Sequence, residues 1–188
     1  MESALIVSSS AKAVAAFTGL LNAAAITRVT AAATAAEARR LLPDRDVDLV
    51  IVDAPLSDEP AESLARHIVT QGLTQAILVI KGETPEAAAA CAADGVLVIP
   101  KPVNTTLFKT ALTLVRSAQN RMRREHEENE RLRQKIDEIR TVDRAKAILI
   151  SRFNMSEQDA HRFIEKQAMN MRTSRKVIAE GILKTYDN

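Results

Sequence analysis

Short apolar runs alternate with helical patterns along residues 1–115. The first run, residues 4–7, precedes three serines, and continuous apolar runs of this kind are typical of buried parallel strands that end in loops. Because strands that alternate with helices imply crossover connections, the pattern predicts an α/β fold, a doubly wound (βα)5 parallel sheet. The predicted strands are residues 4–7, a weaker strand centred on Val29, 48–53, 76–80 and 95–99, and the predicted helices are residues 11–23, 34–42, 62–71, 85–93 and from 105 onward.

The pattern changes after residue 115. Glycine and proline are absent from there to Gly181, and charged residues dominate residues 121–140. Apolar residues recur at heptad spacing, and an asparagine at one core position favours in-register parallel dimers. Residues 116–140, which we call the stem, are therefore predicted to form a dimeric coiled coil, with a solitary extended helix as the alternative. The predicted dimer-interface residues are Met122, Asn129, Leu132, Ile136 and Ile139.

Residues 141–188 are punctuated like a small three-helix all-α domain. The stem helix continues along an apolar stripe to Asn154, which is predicted to end it. Ser156, with Asp159 three residues later, is predicted to begin a second helix, and Ser174 is the predicted N-cap of a third. The core of this domain is predicted to contain Val142, Ala145, Ile148, Leu149, Phe153, Ala160, Phe163, Ile164, Ala168, Val177, Ile178 and Ile182.

Polar side chains collect where the predicted strands of the sheet end. In doubly wound sheets the carboxyl ends of the strands form one edge, and the functional crevice lies there. The sequence therefore predicts a shared site at this edge, formed by Ser8, Ser9, Asp53, Lys81 and Lys101.

This arrangement resembles the receiver domain of two-component response regulators over residues 1–115. Asp53 matches the phospho-acceptor of that family, and Lys101-Pro102 matches the lysine-proline pair after its fifth strand. Val98 departs from the family, because it stands where the aromatic switch residue is expected. The resemblance implies the receiver fold but leaves the phosphorylation chemistry in question.

Two further departures bear on that chemistry. The acidic pair that holds magnesium in receivers is replaced by Ser8-Ser9, and a hydroxyl residue is replaced by Lys81. Since two neutral hydroxyls supply no charge to hold magnesium, we predict a pseudo-receiver in which Asp53 is not phosphorylated. Asp53 would instead form an ion pair with Lys81 or Lys101, or serve as an ordinary structural carboxylate.

The charge of the chain is uneven. Residues 1–115 carry 9 Lys and Arg against 12 Asp and Glu, whereas residues 116–188 carry 17 against 12. A positive surplus at the C-terminal end allows a polyanionic partner, because phosphate contacts need clustered Lys and Arg.

The C-terminal motifs are similar to the ANTAR domain of transcription antitermination regulators. The match covers residues 140–183, with Ala147 where the family has glycine. The chain is thus predicted to consist of a receiver-like domain (1–115), a coiled-coil stem (116–140) and an ANTAR domain (141–188). The residues that carry the resemblance are Asp143-Arg144-Ala145-Lys146-Ala147-Ile148-Leu149, Ser156-Glu157, Ala160, Ala168-Met169 and Val177-Ile178-Ala179.

This resemblance implies RNA binding. A dimer of the family grips paired small hairpins in a nascent leader transcript and prevents formation of a downstream terminator. The resemblance to family members whose receivers are not phosphorylated also implies that a ligand-sensing partner protein controls the chain. Lys and Arg side chains can contact phosphates, and Arg can stack on bases. The candidate RNA-binding residues are Arg144, Lys146, Arg172, Ser174, Arg175 and Lys176.

Two other functions remain open. Three helices after a receiver-like domain also fit a DNA-binding response regulator, and the protein could be an interaction adaptor that binds no nucleic acid. An enzyme is not expected, because no nucleophile paired with a base and no glycine-rich phosphate loop is present. With Cys91 as the single cysteine, neither a metal site nor a cofactor is predicted. No apolar run is long enough to span a membrane, so we expect a cytoplasmic protein.

Overall fold

The computed structural model of the protein describes residues 1–82 and 85–186. The chain forms two compact units, Met1–Arg124 and Glu125–Asn188. One long helix, α5 (Thr105–Phe153), contributes its first part to the first unit and the rest to the second.

The first unit is a five-stranded parallel sheet with helices on both faces, which confirms the predicted doubly wound fold. The strands run in the order β2-β1-β3-β4-β5, and each is parallel to its neighbours. Its elements are β1 (Ser3–Val7), α1 (Ala11–Ala23), β2 (Arg28–Ala32), α2 (Ala35–Leu41), β3 (Leu49–Asp53), α3 (Ala61–Thr70), β4 (Gln75–Lys81), α4 (Pro85–Ala93), β5 (Leu97–Lys101) and the first part of α5.

The sheet is buried on both faces. Leu5 and Val7 of β1 pack in a core with α2 and α3, whereas Ala4 and Ile6 pack in a second core with α1 and α5. Successive side chains of a strand point to opposite faces, so a continuous apolar run can fill two cores at once. Cys91 is buried in the first core, and this desolvation raises the pKa of its thiol.

The predicted position of the fifth strand was wrong by two residues. It was predicted at residues 95–99, but β5 runs from Leu97 to Lys101. Gly95 instead ends the turn after α4: its φ is +91°, and its N–H donates to the carbonyl of Ala92. Because glycine adopts this left-handed conformation without steric cost, it closes the helix and delays the strand. Lys101 consequently becomes the last residue of the strand.

Helix α5 packs on the sheet over its first five turns. Phe108 and Val115 lie in the second core. Gln119 is also buried, with 4% of its surface exposed, and its Nε2 donates to Oδ1 of Asp48 over 3.0 Å. Arg123 lies one turn further on, with Nη2 3.7 Å from the same oxygen. Contacts with the sheet therefore continue beyond residue 115 to Arg123.

The second unit is a three-helix assembly around a small core. Helix α5 ends at Phe153, and Asn154 adopts a φ of +53°. Helices α6 (Glu157–Asn170) and α7 (Arg175–Tyr186) follow, and the last two residues of the predicted domain lie outside the described part of the chain. The buried core residues are Val142, Ala145, Leu149, Ala160, Ile164, Ala179 and Ile182.

Both predicted helix caps are confirmed. Ser156 Oγ accepts a hydrogen bond from the N–H of Asp159 over 3.2 Å, and Ser174 Oγ accepts one from the N–H of Val177 over 3.3 Å. Each satisfies a backbone donor that has no partner within its own helix.

Three residues that were predicted in this core are not buried. Phe153 is 47% exposed, Phe163 37% and Val177 52%. In α6 the four-residue spacing of Ala160 and Ile164 turns those two inward, so Phe163 lies at the flank of the buried stripe. In α7 the core is filled by residues that follow Val177, and successive helical residues point about 100° apart.

Candidate functional site

Asp53 lies at the carboxyl end of β3 with both of its oxygens engaged. Oδ1 is 2.6 Å from Nζ of Lys101, and Oδ2 accepts a hydrogen bond from Oγ of Ser8 over 2.7 Å. Lys101 also donates to the carbonyl of Ala54 over 2.5 Å, and the N–H of Ser10 donates to Ser8 Oγ over 3.1 Å. The structure thus contains the Lys101 pair, one of the two ion pairs that were predicted for Asp53.

Lys81 and Ser9 do not join this group. Lys81 ends β4 directly beside Lys101 in the sheet register, but its side chain is exposed. Ser9 follows β1 and is exposed as well. A position beside the site in the sheet register therefore does not ensure that the side chain reaches Asp53.

The electrostatics of the Asp53 site are set by Lys101. Asp53 is 6% exposed, so its carboxylate depends on the ammonium and the Ser8 hydroxyl for compensation. Among residues 1–82 and 85–186, no three His, Cys, Asp or Glu side chains are grouped so that they could hold a metal ion. The arrangement holds a carboxylate in place with a cation and a hydroxyl donor.

A second polar cluster, which the sequence patterns did not reveal, lies at the opposite edge of the sheet. Asp48 precedes β3 and is 7% exposed. Its Oδ2 accepts hydrogen bonds from the N–H groups of Glu2 (2.6 Å) and Ser3 (3.1 Å), and its Oδ1 accepts from Gln119. Burial opposes ionisation of Asp48, but these donors hold its pKa below the ordinary value. The sequence could not predict this cluster, because most polar residues that precede an apolar strand are exposed.

In the second unit, Lys146 is held by two carboxylates. Its Nζ lies 2.8 Å from Asp143 and 3.3 Å from Glu157. The hydrogen bond to Asp143 is the main reason why the pKa of Lys146 is raised. The side chain of Lys146 is only 15% exposed, so little of it is accessible to a ligand.

The cations at the start of α7 are also paired. Arg175 lies 3.5 Å from Glu138 of the stem and 3.6 Å from Glu165 of α6. Lys176 forms an ion pair with Asp137 of the stem and a longer one, 3.9 Å, with Glu180. Both cations remain partly exposed and both point toward acidic neighbours.

The other candidate RNA-binding residues differ in their surroundings. Arg172 is exposed in the turn between α6 and α7, where its φ is +49°. Ser174 is engaged as the helix cap, and Arg144 is exposed on α5. A cavity of about 140 Å³ brings Lys146 and Arg175 together; its other charged or titratable lining residues are Glu138, Asp143 and His161.

Two exposed cations on α6 were not predicted as candidates. Arg162 and Lys166 lie one turn apart, on the side of α6 that faces away from the core. Within the described part of the chain, neither forms an ion pair. Their four-residue spacing places both on one face of a helix, and this pattern can be recognised in the sequence.

The apolar residues of the stem in the second unit are exposed. Leu132 is 48% exposed, Ile136 50% and Ile139 60%, and Asn129 is exposed as well. Met122, the remaining predicted interface residue, is 37% exposed and lies in the first unit, with its sulfur 3.4 Å from Nε2 of Gln75. None of the helices in the described part of the chain has the length and apolar character needed to span a membrane.

A parallel sheet with a carboxylate and a lysine at the ends of its strands, followed by a helical module, is the arrangement found in response regulators. Solved receiver domains share the fold of the first unit. One, a two-component response regulator from Clostridium difficile, is 16% identical with a TM-score of 0.58 and covers 64% of this chain and 99% of its own. Another, the signal receiver domain of an HD domain-containing protein from Pseudomonas fluorescens Pf-5, is 26% identical with a TM-score of 0.57 and covers 65% and 91%.

The second unit matches a known domain family. Residues 130–183 match the ANTAR domain. The transcriptional regulatory protein PdtaR of Mycobacterium tuberculosis is 27% identical over 141 residues, which is 73% of this chain and 68% of that protein. Residues 130–183 of the protein therefore form an ANTAR domain, behind a first unit with the receiver fold.

Proposed function

We propose that the protein is a non-enzymatic transcription antitermination regulator that binds paired RNA hairpins as a dimer. The observation that supports this most directly is the match of residues 130–183 to the ANTAR domain, in a unit whose surface carries clustered cations. Binding to hairpins in a nascent leader transcript would prevent a terminator from forming downstream. The proposal includes no membrane partner. Because the protein would act on RNA during transcription, we also propose that it is cytoplasmic.

The proposed RNA surface lies around the turn between α6 and α7. Arg172, Arg175 and Lys176 supply cations there, beside the N-terminal end of α7, and the positive end of a helix dipole favours anions. RNA loops expose bases and backbone together, and arginine can both pair with phosphate and stack on a base. Arg144 and Lys146 would extend the surface along α5.

Arg172→Gln is expected to weaken hairpin binding about fivefold, because one phosphate contact is lost and counterion release falls accordingly. The salt dependence of the affinity should also decrease by about 0.7 in log–log slope. Fluorescence anisotropy with labelled hairpin RNA at several salt concentrations measures both. Lys109→Gln, which removes an exposed charge from the first unit, is the matched control and should leave the affinity unchanged.

The same titration with duplex DNA of the hairpin sequence separates the proposal from its main alternative. Tighter binding to the DNA would identify a DNA-binding response regulator instead. Binding to neither nucleic acid would favour an interaction adaptor.

We propose further that the first unit is a pseudo-receiver controlled by a ligand-sensing partner protein. Both oxygens of Asp53 are already engaged, by Lys101 and Ser8, and the two serines after β1 offer magnesium no charged ligand. If phosphorylation does not change the state of this domain, another signal must regulate it. A regulatory protein that binds the sheet domain would provide it.

Incubation with acetyl phosphate and Mg²⁺ is expected to leave Asp53 unmodified, as measured by intact-protein mass spectrometry. Phosphoryl transfer needs divalent charge near the carboxylate, and this site supplies only one ammonium. Asp53→Asn is the control for labelling elsewhere. Stoichiometric phosphate on the natural protein and none on Asp53→Asn would show that the receiver is active.

A further inference from the structure

Acidic residues of the stem hold the cations at the start of α7. Asp137 pairs with Lys176, and Glu138 lies 3.5 Å from Arg175. Both carboxylates belong to the second unit and both cations are candidates for RNA contact. An intramolecular carboxylate therefore occupies the donors that an RNA phosphate would need.

The pairs can open at modest cost. Side-chain exposure is 62% for Asp137 and 38% for Lys176, and it is 34% for Glu138 and 47% for Arg175. Exposed ion pairs are weak and salt-dependent, whereas Lys and Arg bind phosphate and carboxylate through the same N–H donors. An RNA phosphate can thus replace either carboxylate. Because the ion pair is lost in the exchange, the free energy gained on binding the phosphate is smaller.

Lys146 follows the same pattern with Asp143 and Glu157. Hydrogen bonding to Asp137 raises the pKa of Lys176, and the same bond lowers the pKa of Asp137, so both groups stay charged over the physiological range. Lys146, Arg175 and Lys176 are therefore partly neutralised within the domain itself.

We propose that Asp137 and Glu138 are intramolecular competitors of RNA, which lower the affinity of the α7 cations for phosphate and so restrict binding to RNAs that engage both cations together. This inference rests on the proposed RNA-binding function. A single phosphate or an unstructured polyanion displaces one carboxylate and gains little. A hairpin that places two phosphates against Arg175 and Lys176 displaces both.

The test uses the full-length protein carrying Asp137→Asn and Glu138→Gln together, which keeps the size of both side chains and removes their charge. Glu127→Gln with Glu128→Gln is the matched control, because it removes two neighbouring charges from the exposed stem away from α7. The probes are a two-hairpin RNA enriched on the natural protein from a pool with randomised loops, and polyuridylate as an unstructured polyanion. Thermal unfolding of each variant checks that the fold is retained.

The Asp137 and Glu138 variant is expected to bind the two-hairpin RNA about fivefold to twentyfold more tightly than the control variant. Its salt slope should steepen by about 1, because more cations become available to phosphate. Affinity for polyuridylate should rise by a larger factor, so discrimination between the probes falls. A structural role of the carboxylates would not produce that combination.

Two results overturn the proposal without affecting the proposed function. Affinity equal to that of the control variant means that the carboxylates do not compete, and weaker binding means that they position the cations for RNA. If no hairpin is enriched on the natural protein, the proposed RNA binding itself fails, and the competition fails with it.

Discussion

Ile136→Glu is expected to convert the protein from a dimer into a monomer and to remove its recognition of paired hairpins. Ile136 is 50% exposed and lies beside exposed Leu132 and Ile139 on the stem. Covering the exposed half of each copy would contribute about 1 to 1.5 kcal/mol, and a pair of glutamates would repel each other instead. The dimer dissociation constant should rise roughly a hundredfold or more.

Analytical ultracentrifugation of the full-length protein over a range of concentrations measures this change. Gln134→Glu is the matched control, since it adds the same charge two residues earlier, about 200° around the helix from Ile136. A natural protein that sediments as a monomer at micromolar concentration would favour the solitary extended helix. A dimer that is unaffected by Ile136→Glu would place the interface outside the stem.

Loss of the hairpin complex should accompany loss of the dimer, although no proposed RNA contact is altered. Two linked binding surfaces gain affinity through effective concentration, and that gain disappears when the chains separate. A monomeric variant should therefore retain weak binding to one hairpin and show no preference for paired ones. A monomer that still prefers paired hairpins would contradict the proposed arrangement.

Asp48→Ala should destabilise the first unit by about 3 kcal/mol. The substitution leaves the N–H groups of Glu2 and Ser3 without their acceptor and removes one of the two acceptors of the Gln119 amide. Urea unfolding followed by circular dichroism measures the loss. Asp44→Ala, at an exposed position nearby, is the control and should change stability by less than about 0.5 kcal/mol.

The contribution of Asp48 also predicts a pH dependence. Its pKa is lower in the folded protein than the ordinary value of about 4, so folding favours the ionised form. The stabilisation is fully present above pH of about 4 and is lost as the pH falls through the lower folded pKa. The Asp48→Ala variant should therefore lose less stability than the natural protein over that acidic range, and equal losses would assign the acid sensitivity to other groups.

Where the sequence pattern was periodic, it predicted the elements well. The apolar runs of β1, β3 and β4 mark strands buried on both faces, and the motifs from Asp143 to Leu149 mark the first helix of the ANTAR domain. The start of β5 was misplaced because Gly95 can either enter a strand or end a helix. Its backbone conformation depends on how α4 closes, which apolar periodicity does not encode.

Core assignments in the second unit failed where helix rotation decides burial. Phe153, Phe163 and Val177 are apolar and suitably spaced, but the core uses neighbouring positions. Apolar spacing along a helix does not fix the rotation of the helix about its axis, so it cannot show which of two adjacent apolar residues faces inward. Phe153 instead packs edge to face on Tyr186, with ring centroids 5.2 Å apart.

The sequence by itself determined the order of strands and helices, the helix caps at Ser156 and Ser174, and the chemical types available at the strand ends. These follow from local periodicity and from hydrogen bonds between near neighbours in the chain. Only the tertiary structure decided that Lys101 and not Lys81 reaches Asp53, that Asp48 holds Gln119, and that stem carboxylates pair with the cations of α7. Each of these contacts joins residues far apart in sequence, so their distance depends on how the elements pack.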